Sequence, residues 1–380
     1  MKHQIRLYLL LFTTIQFNSA LNAQITLGNG TADDYLNTVT TAVPFLRMGP
    51  DARAAGMGDA GIALSPDVNS IYWNASKLAF IENENPSGIS VTYAPILKGL
   101  VENVFYTNIN GYWKPGELQA IGGSVRFFSL GSIPVTGTGV INSDFHPIEF
   151  AIDLSYALQL STDLSAGFTL KYLNSNIPSQ VNSANGSASS IAGDISFYYK
   201  KQFNKGSDLG LGLNISNIGN KMIYTSTIVK DYLPTNMGIG AAYTININNS
   251  NKITITTDIN KLLVPTPDST DIDFDGIPDF RQENVFNGML SSFSDAPNGF
   301  SEELHEVIIS GGLEYWFDEQ FAVRTGYFHE NKTKGGRQFF TLGIGVHYKI
   351  FGLDFSYLAP TENNQNPLDN TMRLTVMLNL

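Results

Sequence analysis

The chain contains 380 residues, with a formal net charge of −11, no cysteine and only 15 % charged residues. The acidic balance argues against nucleic acid as a partner, and the lack of cysteine excludes a disulfide framework. Low charge combined with 35 glycines and 12 % aromatic residues is unusual for a soluble acidic protein and typical of a transmembrane β-barrel.

Residues 1–23 have the pattern of a secretory signal peptide. Lys2 and Arg6 give a basic start, an apolar run covers 7–15, and Ala23 suits the position before a cleavage site. The apolar run is too short for a membrane helix, and the alternative is a buried N-terminal helix. We therefore expect an exported protein whose mature chain begins at Gln24, directly after Ala23.

Residues 24–86 contain three glycines in the G-x-G-x-x-G spacing of dinucleotide-binding loops. That motif has meaning only after a buried strand and before a helix, and neither pattern flanks it here, so nucleotide binding is not expected. The segment also lacks the alternation of the residues that follow. We predict that it forms a hatch inside a barrel, where glycines permit tight turns and charged side chains pair with lumen residues. The residues assigned to the hatch are Arg47, Asp51, Arg53, Gly56, Gly58, Asp59, Gly61, Trp73 and Asn74.

Residues 87–380 show repeated alternation of apolar and polar side chains. In 146–160, Ile152, Leu154 and Tyr156 share one face, and the residues between them share the other. Short and long connections alternate, so we predict an all-β fold, an antiparallel transmembrane barrel of about 14 strands. A soluble β-sandwich is the alternative, but it needs neither such long strands nor this alternation of loops. The segments begin near residues 87, 102, 117, 146, 163, 190, 206, 236, 251, 305, 320, 337, 351 and 370.

Two sets of side chains follow from this fold. Aromatic residues near segment ends are predicted to form girdles at the lipid interfaces, ordinary strand propensity being the alternative. They are Tyr93, Tyr112, Trp113, Tyr172, Tyr198, Tyr199, Tyr243, Tyr315, Trp316, Tyr327, Tyr348 and Tyr357. Charged residues of both signs are predicted to face the lumen, where we expect a paired structural network rather than a substrate track. They are Arg126, Glu149, Asp153, Lys171, Asp194, Lys200, Asp258, Glu314, Arg324, His347, Lys349 and Arg373.

The longest connection, 264–304, contains the acidic motif DSTDIDFDGIPDF. Its alternate carboxylates and its glycine match most of a calcium loop, but Gln282 stands where a closing glutamate is expected, and no flanking helix pair is evident. An EF-hand is therefore excluded, while an isolated calcium-binding loop and an acidic solvated loop remain as alternatives. No other cofactor is expected. The predicted metal ligands are Asp271, Asp273, Asp275, Asp279 and the carbonyl of Ile277.

The same connection offers a set of apolar side chains at roughly helical spacing: Phe286, Met289, Leu290 and Phe293. An exposed apolar patch often marks an interaction site, so these residues are candidates for partner binding. The alternative is that they pack over the barrel mouth and hold the loop in place.

Catalysis is not expected. Beyond the signal peptide the histidines are His146, His305, His329 and His347, and each is predicted near a strand end or in the lumen. No G-x-S-x-G nucleophile motif is present.

The stretch FLRMGPDARAAGMGDAGIALSPDVNSIYWNASKLAF (45–80) resembles the N-terminal signature of the PorV family. These proteins are outer-membrane components of the type IX secretion system of Bacteroidota, they are related to PorQ, and their barrel is similar to that of the FadL family. The stretch NKLLVPTP (260–267) is also similar to this family. Ala75–Ser76 departs from the Pro-Ala of many members, without evident consequence.

The resemblance implies a non-enzymatic protein of the cell outer membrane, with its loops facing the cell exterior. Such proteins bind cargo through C-terminal signal domains, collect it at the large translocon barrel SprA (Sov), and pass it to an attachment complex that contains PorU. The alternative is a FadL-type transporter of hydrophobic small molecules. A transporter needs an apolar lumen pocket and a movable hatch, whereas an adaptor needs large exposed loops.

Overall fold

The computed structural model describes residues 36–380, apart from 97–102, 138–139, 178–186, 204–205, 225–229 and 362–369. The predicted signal peptide and the first part of the predicted hatch, up to residue 35, lie outside the described residues.

Antiparallel β-strands dominate the described residues. They are β1 (Ser87–Pro95), β2 (Val104–Gly116), β3 (Gln119–Leu130), β4 (Ile133–Gly137), β5 (Val140–Phe145), β6 (Ile148–Gln159), β7 (Leu164–Asn176), β8 (Ser187–Phe203), β9 (Ser207–Gly219), β10 (Asn236–Asn248), β11 (Asn251–Leu262), β12 (Val307–Phe317), β13 (Phe321–His329), β14 (Gln338–Tyr348), β15 (Phe351–Pro360) and β16 (Met372–Asn379). All except β4 and β5 pair in a closed barrel of 14 strands, in which β1 meets β16. The predicted fold class is confirmed. The hairpin of β4 and β5 was not predicted.

Helices are short in the described part of the chain. They are α1 (Ala52–Ala55), α2 (Ser70–Trp73), α3 (Asp279–Gln282), α4 (Val285–Ser291) and α5 (Phe300–His305), with 3-10 turns at Pro44–Arg47, Ala75–Phe80 and Lys332–Lys334. Among the described residues, no helix has the length and apolar character needed to cross a membrane.

Strand alternation separates a lumen face from an outer face. Leu154 on β6 pairs with Leu170 on β7, and these side chains are 60 % and 49 % exposed on the outside. The adjacent pair, Asp153 and Lys171, is buried in the lumen. Since successive side chains of a strand point to opposite faces, a period of two in the sequence produces an apolar exterior and a polar interior.

The barrel has a turn end and a loop end. Connections of two to four residues follow β2, β6, β8, β10, β12 and β14, whereas connections of 8 to 44 residues lie at the opposite end. The longest is loop 263–306. The barrel closes at the turn end, where Ser87 and Leu380 exchange backbone hydrogen bonds of 3.1 and 2.7 Å.

Some predicted orientations are wrong. Tyr112, Tyr198 and Trp316 face the lumen rather than a lipid girdle, and each is at most 6 % exposed. Trp316 shares the inward parity of Glu314, and its ring packs edge-on against the His347 ring at 4.7 Å. Lys349 does not face the lumen either, because it lies in the exposed turn between β14 and β15 with φ +54°.

Residues 36–86, called the hatch below, run through the lumen from the loop end to the turn end. At the loop end, the Asn37 amide donates to the Thr333 carbonyl at 3.0 Å, and the Ala42 amide donates to the Tyr232 carbonyl at 2.8 Å. The hatch then leads directly into β1, which starts at the turn end. It therefore runs through the bore from one end to the other.

Two apolar layers hold the hatch. Toward the loop end, Val43, Phe45 and Leu46 pack against lumen side chains that include Phe328 and Phe339. The second layer lies toward the turn end and combines hatch and barrel side chains: Val68, Ile71, Leu78, Ala79, Ile81, Tyr112, Ala120, Ala157 and Met377. The hatch segment between these layers carries charged residues such as Arg53 and Asp59, together with a smaller apolar cluster that contains Ala54, Met57, Ala63 and Leu64.

Candidate functional site: a filled lumen and a structured loop

Buried ion pairs centred on Glu314 fix the middle of the hatch to the barrel wall. Arg53 donates to both Glu314 carboxylate oxygens, from Nε at 3.0 Å and from Nη2 at 2.9 Å. Glu314 also accepts from Arg324 Nε at 2.7 Å, and Arg324 Nη1 donates to Asp354 Oδ1 at 2.6 Å. Arg53 is 7 % exposed, and the other three are at most 1 % exposed. Buried charges are tolerated only when paired, so this network ties the hatch to β12, β13 and β15.

Asp51 organises the start of α1. Its Oδ2 accepts from the Ala54 amide at 2.8 Å, which is an N-cap, and its Oδ1 accepts from Trp73 Nε1 at 2.6 Å. Asn74, the next residue after Trp73, donates from Nδ2 to the Phe197 carbonyl at 2.9 Å. One carboxylate and one amide thus connect two hatch segments with each other and with β8.

Further hydrogen bonds and ion pairs join the hatch to side chains of the barrel wall. Asp258 Oδ2 accepts from the amides of Gly61 and Ile62 at 2.7 and 2.9 Å. Arg373 Nη1 lies 2.7 Å from Asp59 Oδ1. Near the loop end, Arg47 Nη2 and Arg337 Nε contact Glu330, at 2.9 and 2.7 Å.

The hatch glycines are required by close packing. Gly58 has φ +72°, and a Cβ at this position would lie 2.5 Å from the Tyr327 carbonyl oxygen. A Cβ on Gly61 would lie 2.3 Å from the Trp73 ring, and one on Gly56 would lie 3.1 Å from Gly343 Cα. Gly56 and Gly58 therefore permit close contact between the hatch and the barrel, and Gly61 permits close packing within the hatch.

Charged lumen residues farther around the wall are also paired. Arg126 Nη2 lies 2.9 Å from Asp153 Oδ2, and Lys171 Nζ lies 2.7 Å from Asp194 Oδ2. These pairs form a structural network, as the sequence predicted for the lumen.

A buried ionic cluster anchors the base of loop 263–306. Lys261 Nζ on β11 lies 3.0 Å from Glu303 Oε2 and 2.6 Å from Glu306 Oε2. Lys334 Nζ lies 2.5 Å from Glu302 Oε1 and 3.0 Å from Glu306 Oε1. These contacts fix α5 between β11 and the connection that follows β13.

Asp295 lies beside this cluster. Its two oxygens accept from the Thr266 amide at 3.0 Å and from the Thr266 hydroxyl at 3.1 Å. Burial raises the pKa of Asp295 to about 6, and Glu303 and Glu306 add to the increase. This carboxyl group therefore keeps its proton to a higher pH than an exposed aspartate does.

The middle of the loop is attached to the connection between β9 and β10. Tyr232 donates its hydroxyl to the carbonyls of Phe280 and Glu283 at 3.1 and 2.9 Å. Lys221 Nζ donates to the Arg281 carbonyl at 2.8 Å and lies 3.8 Å from the centroid of the Tyr232 ring. Burial lowers the pKa of Lys221 to about 8. The loop is thus held by specific contacts at its base and its middle.

Three of the four predicted apolar anchors are exposed on or next to α4. Phe286 is 67 %, Leu290 61 % and Phe293 46 % exposed, whereas Met289 is half-buried. Phe300 and Leu304 on α5 are also exposed and were not predicted from the sequence. Their spacing of four residues was a signal that could have identified them.

The acidic motif brings three of the predicted ligands together. One carboxylate oxygen from each of Asp271, Asp273 and Asp275 lies within 4.8 Å of the others. Asp279 instead accepts from the Ile272 amide at 3.3 Å. The Ile277 carbonyl accepts from Gln282 Nε2 at 3.3 Å, and Gln282 also donates to Asp275. Calcium binding at this motif stays a prediction.

The fold and the lumen together define a class: a 14-stranded membrane-type β-barrel whose bore is filled by its own N-terminal segment. The family model for the type IX secretion system protein PorV matches residues 31–269. The chain therefore belongs to the PorV family and is an outer-membrane component of type IX secretion. The suspected resemblance is confirmed.

Several solved structures share the barrel architecture. The TodX deltaS2S3 mutant monoaromatic hydrocarbon channel has a TM-score of 0.52 at 12 % identity, covering 87 % of this chain and 99 % of its own. The Pseudomonas putida toluene transporter TodX has a TM-score of 0.50 at 10 % identity, covering 88 % and 98 %. A Pseudomonas aeruginosa FadL homologue reaches 0.46 at 11 % identity, covering 90 % and 99 %. At these identities the likeness concerns the fold alone. The comparison with curated proteins found no match.

Proposed function

We propose that this protein is a non-enzymatic adaptor of type IX secretion. It binds cargo C-terminal signal domains at the large translocon barrel and hands them to the surface attachment complex. The observation that carries the proposal is the contrast between a lumen locked by buried ion pairs and a long, ordered loop that exposes apolar side chains.

The filled bore favours an adaptor over a transporter. Movement of the hatch out of the bore separates Arg53 from Glu314, and a buried charge that loses its partner is strongly destabilising. A lumen cavity of about 350 Å³ is lined mainly by polar and charged side chains, among them Arg53 and His347. A smaller cavity of about 90 Å³ has a mixed lining, which includes Arg47 and Arg337 as well as Ile308 and Phe328. Neither is the apolar pocket that a hydrophobic solute needs.

Loop 263–306 supplies the contact surface. In the proposed orientation the loop end faces the cell exterior and the turn end faces the periplasm, as in other outer-membrane barrels. Contacts at the base and middle of the loop hold its backbone in place, so a partner that binds it pays little additional ordering entropy. Phe286 and Leu290 lie four residues apart on α4 and form one exposed apolar stripe.

The test compares two matched variants of α4. Replacing Phe286 and Leu290 by serine removes the apolar stripe, whereas Asn287→Ser changes an exposed polar residue between them. We expect normal membrane insertion for both, and loss of co-purification with the translocon barrel or with a cargo C-terminal domain for the double variant only. Equal partner recovery from the two variants would remove α4 from the interface.

An uptake assay, run beside the co-purification test, distinguishes the transporter alternative from the adaptor. The solved TodX structures with the same fold are described as a hydrocarbon channel and a toluene transporter, which makes uptake of a hydrophobic solute the competing activity. Uptake of a fatty acid or toluene is measured for the wild type and for Arg53→Ala. Uptake that depends on Arg53, together with unchanged partner recovery by the α4 double variant, would favour transport.

A further inference from the structure

The outer wall of the barrel carries a groove across β7 to β11, called the wall groove below. Its volume is about 450 Å³, within the range of about 300–1,000 Å³ that is usual for small-ligand sites. Its lining is almost wholly apolar and includes Leu213, Ile239 and Ile259. The hydroxyl of Thr257, which also lines the groove, donates to the Ser310 carbonyl at 3.0 Å. The groove therefore suits an apolar occupant.

Two short side chains make the depression. Ala241 on β10 pairs with Thr257 on β11, and both line the groove on the outer face. The outward pairs on either side carry longer, exposed side chains: Ile239 with Ile259, and Tyr243 with Ile255. The short pair therefore lies between two ridges.

The wall groove follows one row of paired residues across the strands. From β7 to β11 these residues are Leu164, Tyr199, Leu211, Ala241 and Thr257. The row begins at the first residue of β7, at the turn end, and reaches the middle of β11.

The length of this row matches one leaflet of a membrane. Four strand spacings of about 4.8 Å give a row of about 19 Å. For strands tilted by about 40°, this row climbs about 12 Å, close to half of the hydrocarbon thickness of about 30 Å. The wall groove thus extends from the turn-end interface to about the middle of the membrane.

Two opposite charges lie at the turn-end mouth of the wall groove. Asp163 directly precedes Leu164, and Lys201 follows Tyr199 on the same face of β8. Lys201 Nζ lies 2.6 Å from Asp163 Oδ2, and both side chains are partly exposed. The headgroup of phosphatidylethanolamine carries one phosphate and one ammonium group. Lys201 is complementary to the phosphate and Asp163 to the ammonium group.

Shape decides between a lipid and a protein as the occupant. Lipid tails are as apolar as the wall, so an occupant at this depth gains affinity from packing rather than from the hydrophobic effect. A neighbouring barrel has a stiff, convex wall that rests on the two ridges and leaves the depression unfilled, and lining atoms without partners lose their dispersion contacts. A flexible acyl chain can follow the depression along its length.

We propose that the wall groove binds one acyl chain of a phosphatidylethanolamine molecule in the periplasmic leaflet, with the headgroup at Lys201 and Asp163. The proposal uses the orientation given above, in which the turn end faces the periplasm. It does not depend on the adaptor function, so either proposal can fail without the other.

The first test counts retained lipid. The protein is reconstituted in vesicles of equal parts phosphatidylethanolamine and phosphatidylglycerol, extracted in a mild detergent and measured by native mass spectrometry. We expect the wild type to retain one phosphatidylethanolamine molecule in preference to phosphatidylglycerol. Ala241→Phe fills the groove and should lose this lipid. The control Ala359→Phe makes the same change on the outer face of β15, opposite the exposed Phe340, and should keep it.

The headgroup contact is tested with Lys201→Gln. We expect retention about fivefold weaker than in the wild type, as for the loss of one lysine contact at a lipid surface. The control is Lys252→Gln, since Lys252 also lies at the turn end but pairs with Glu319. Equal retention by the two lysine variants would overturn the assignment of the headgroup.

The remaining outcomes decide the occupant. A wild type without retained phosphatidylethanolamine, or retention that Ala241→Phe leaves unchanged or that Ala359→Phe also abolishes, overturns the lipid site. If Ala241→Phe keeps the lipid but no longer co-purifies with the translocon barrel, the groove is a protein contact and the proposal is wrong.

A second measurement needs only the wild type and so does not depend on the folding of variants. Phosphatidylethanolamine with a photoreactive diazirine in its acyl chain is added to the vesicles, and cross-linked peptides are mapped by mass spectrometry. We expect cross-links to be concentrated in 211–213, 239–241 and 257–259. Cross-links spread equally over the outer faces of β15 and β16, at residues such as Leu353 and Leu374, would overturn the proposal.

Discussion

Replacing Glu314 by alanine tests whether buried ion pairs lock the hatch. Glu314 is 1 % exposed and accepts three hydrogen bonds, two from Arg53 and one from Arg324. Its loss leaves two buried guanidinium groups with one carboxylate each, Asp67 for Arg53 and Asp354 for Arg324. Removal of one member of a buried pair typically costs about 3–5 kcal/mol, and because each guanidinium keeps one partner we expect the free energy of unfolding to fall by about 3 kcal/mol.

The assay is urea unfolding in detergent micelles, followed by tryptophan fluorescence. Trp73 in the hatch and Trp316 on β12 report on both sides of the contact. The control is Glu319→Ala, because Glu319 is 78 % exposed and pairs with Lys252 at 3.3 Å, where an ion pair contributes less than about 1 kcal/mol. Equal losses in the two variants would refute the argument that the buried network holds the hatch.

Three further predictions follow from the same structure. We expect Gly58→Ala to lower the midpoint of thermal unfolding much more than Gly299→Ala does. Both glycines have φ near +70°, but only at Gly58 would the added Cβ have atoms within 4 Å. Similar midpoints for the two variants would show that backbone strain alone matters. If the acidic motif binds calcium, isothermal titration shows one site that disappears when Asp273 and Asp275 are both replaced by alanine; indistinguishable titrations would leave only a solvated loop. The pKa of Asp295 is raised to about 6, so near pH 5 the folded loop keeps a proton that the unfolded chain has already released. The protection of the loop amides against hydrogen exchange is therefore highest at low pH and falls as the pH rises through about 6. Amide exchange of loop 263–306 at about pH 5 and pH 7, corrected for intrinsic rates, should show this fall in the wild type and not in Asp295→Asn, and a rise in protection would contradict the sign.

The strands were predictable because the barrel has two chemically different faces. Lipid on one side and a polar lumen on the other impose a period of two, and this signal located the start of each barrel strand within a few residues. The hairpin of β4 and β5 gave no such signal, because it lies outside the barrel sheet in a connection between β3 and β6. Trp316 was misassigned because residue type was read without its parity relative to Glu314.

The hatch was predictable as a segment but not as a set of contacts. Missing alternation and clustered glycines indicated a plug, yet the partners of that plug come from distant strands. Asp258 accepts from the Gly61 amide across 197 residues of sequence, and Arg53 meets Glu314 across 261. One sequence contains no pairing rule for such contacts, since any lumen carboxylate on the right strand face satisfies the same pattern.

The acidic motif shows the same limit at short range. The spacing of aspartates predicted convergent carboxylates, and three of them converge. The sequence did not indicate that Gln282 folds back onto Asp275, or that Phe274 points into solvent. Both depend on the backbone turn at Gly276, whose φ of +82° sets the direction of the chain on either side.

The hatch also contacts the seam at which the barrel closes. At this seam β1 and β16, the first and last strands of the barrel sheet, pair with each other. Thr375 on β16 bonds Thr92 on β1 at 2.8 Å and also accepts from the Ala52 amide of the hatch at 2.9 Å. The hatch therefore supports the seam from inside the lumen, and the placed hatch and the closed seam stabilise each other. A barrel whose hatch is misplaced loses this support at its seam, and an unpaired strand edge is open to pairing with another chain.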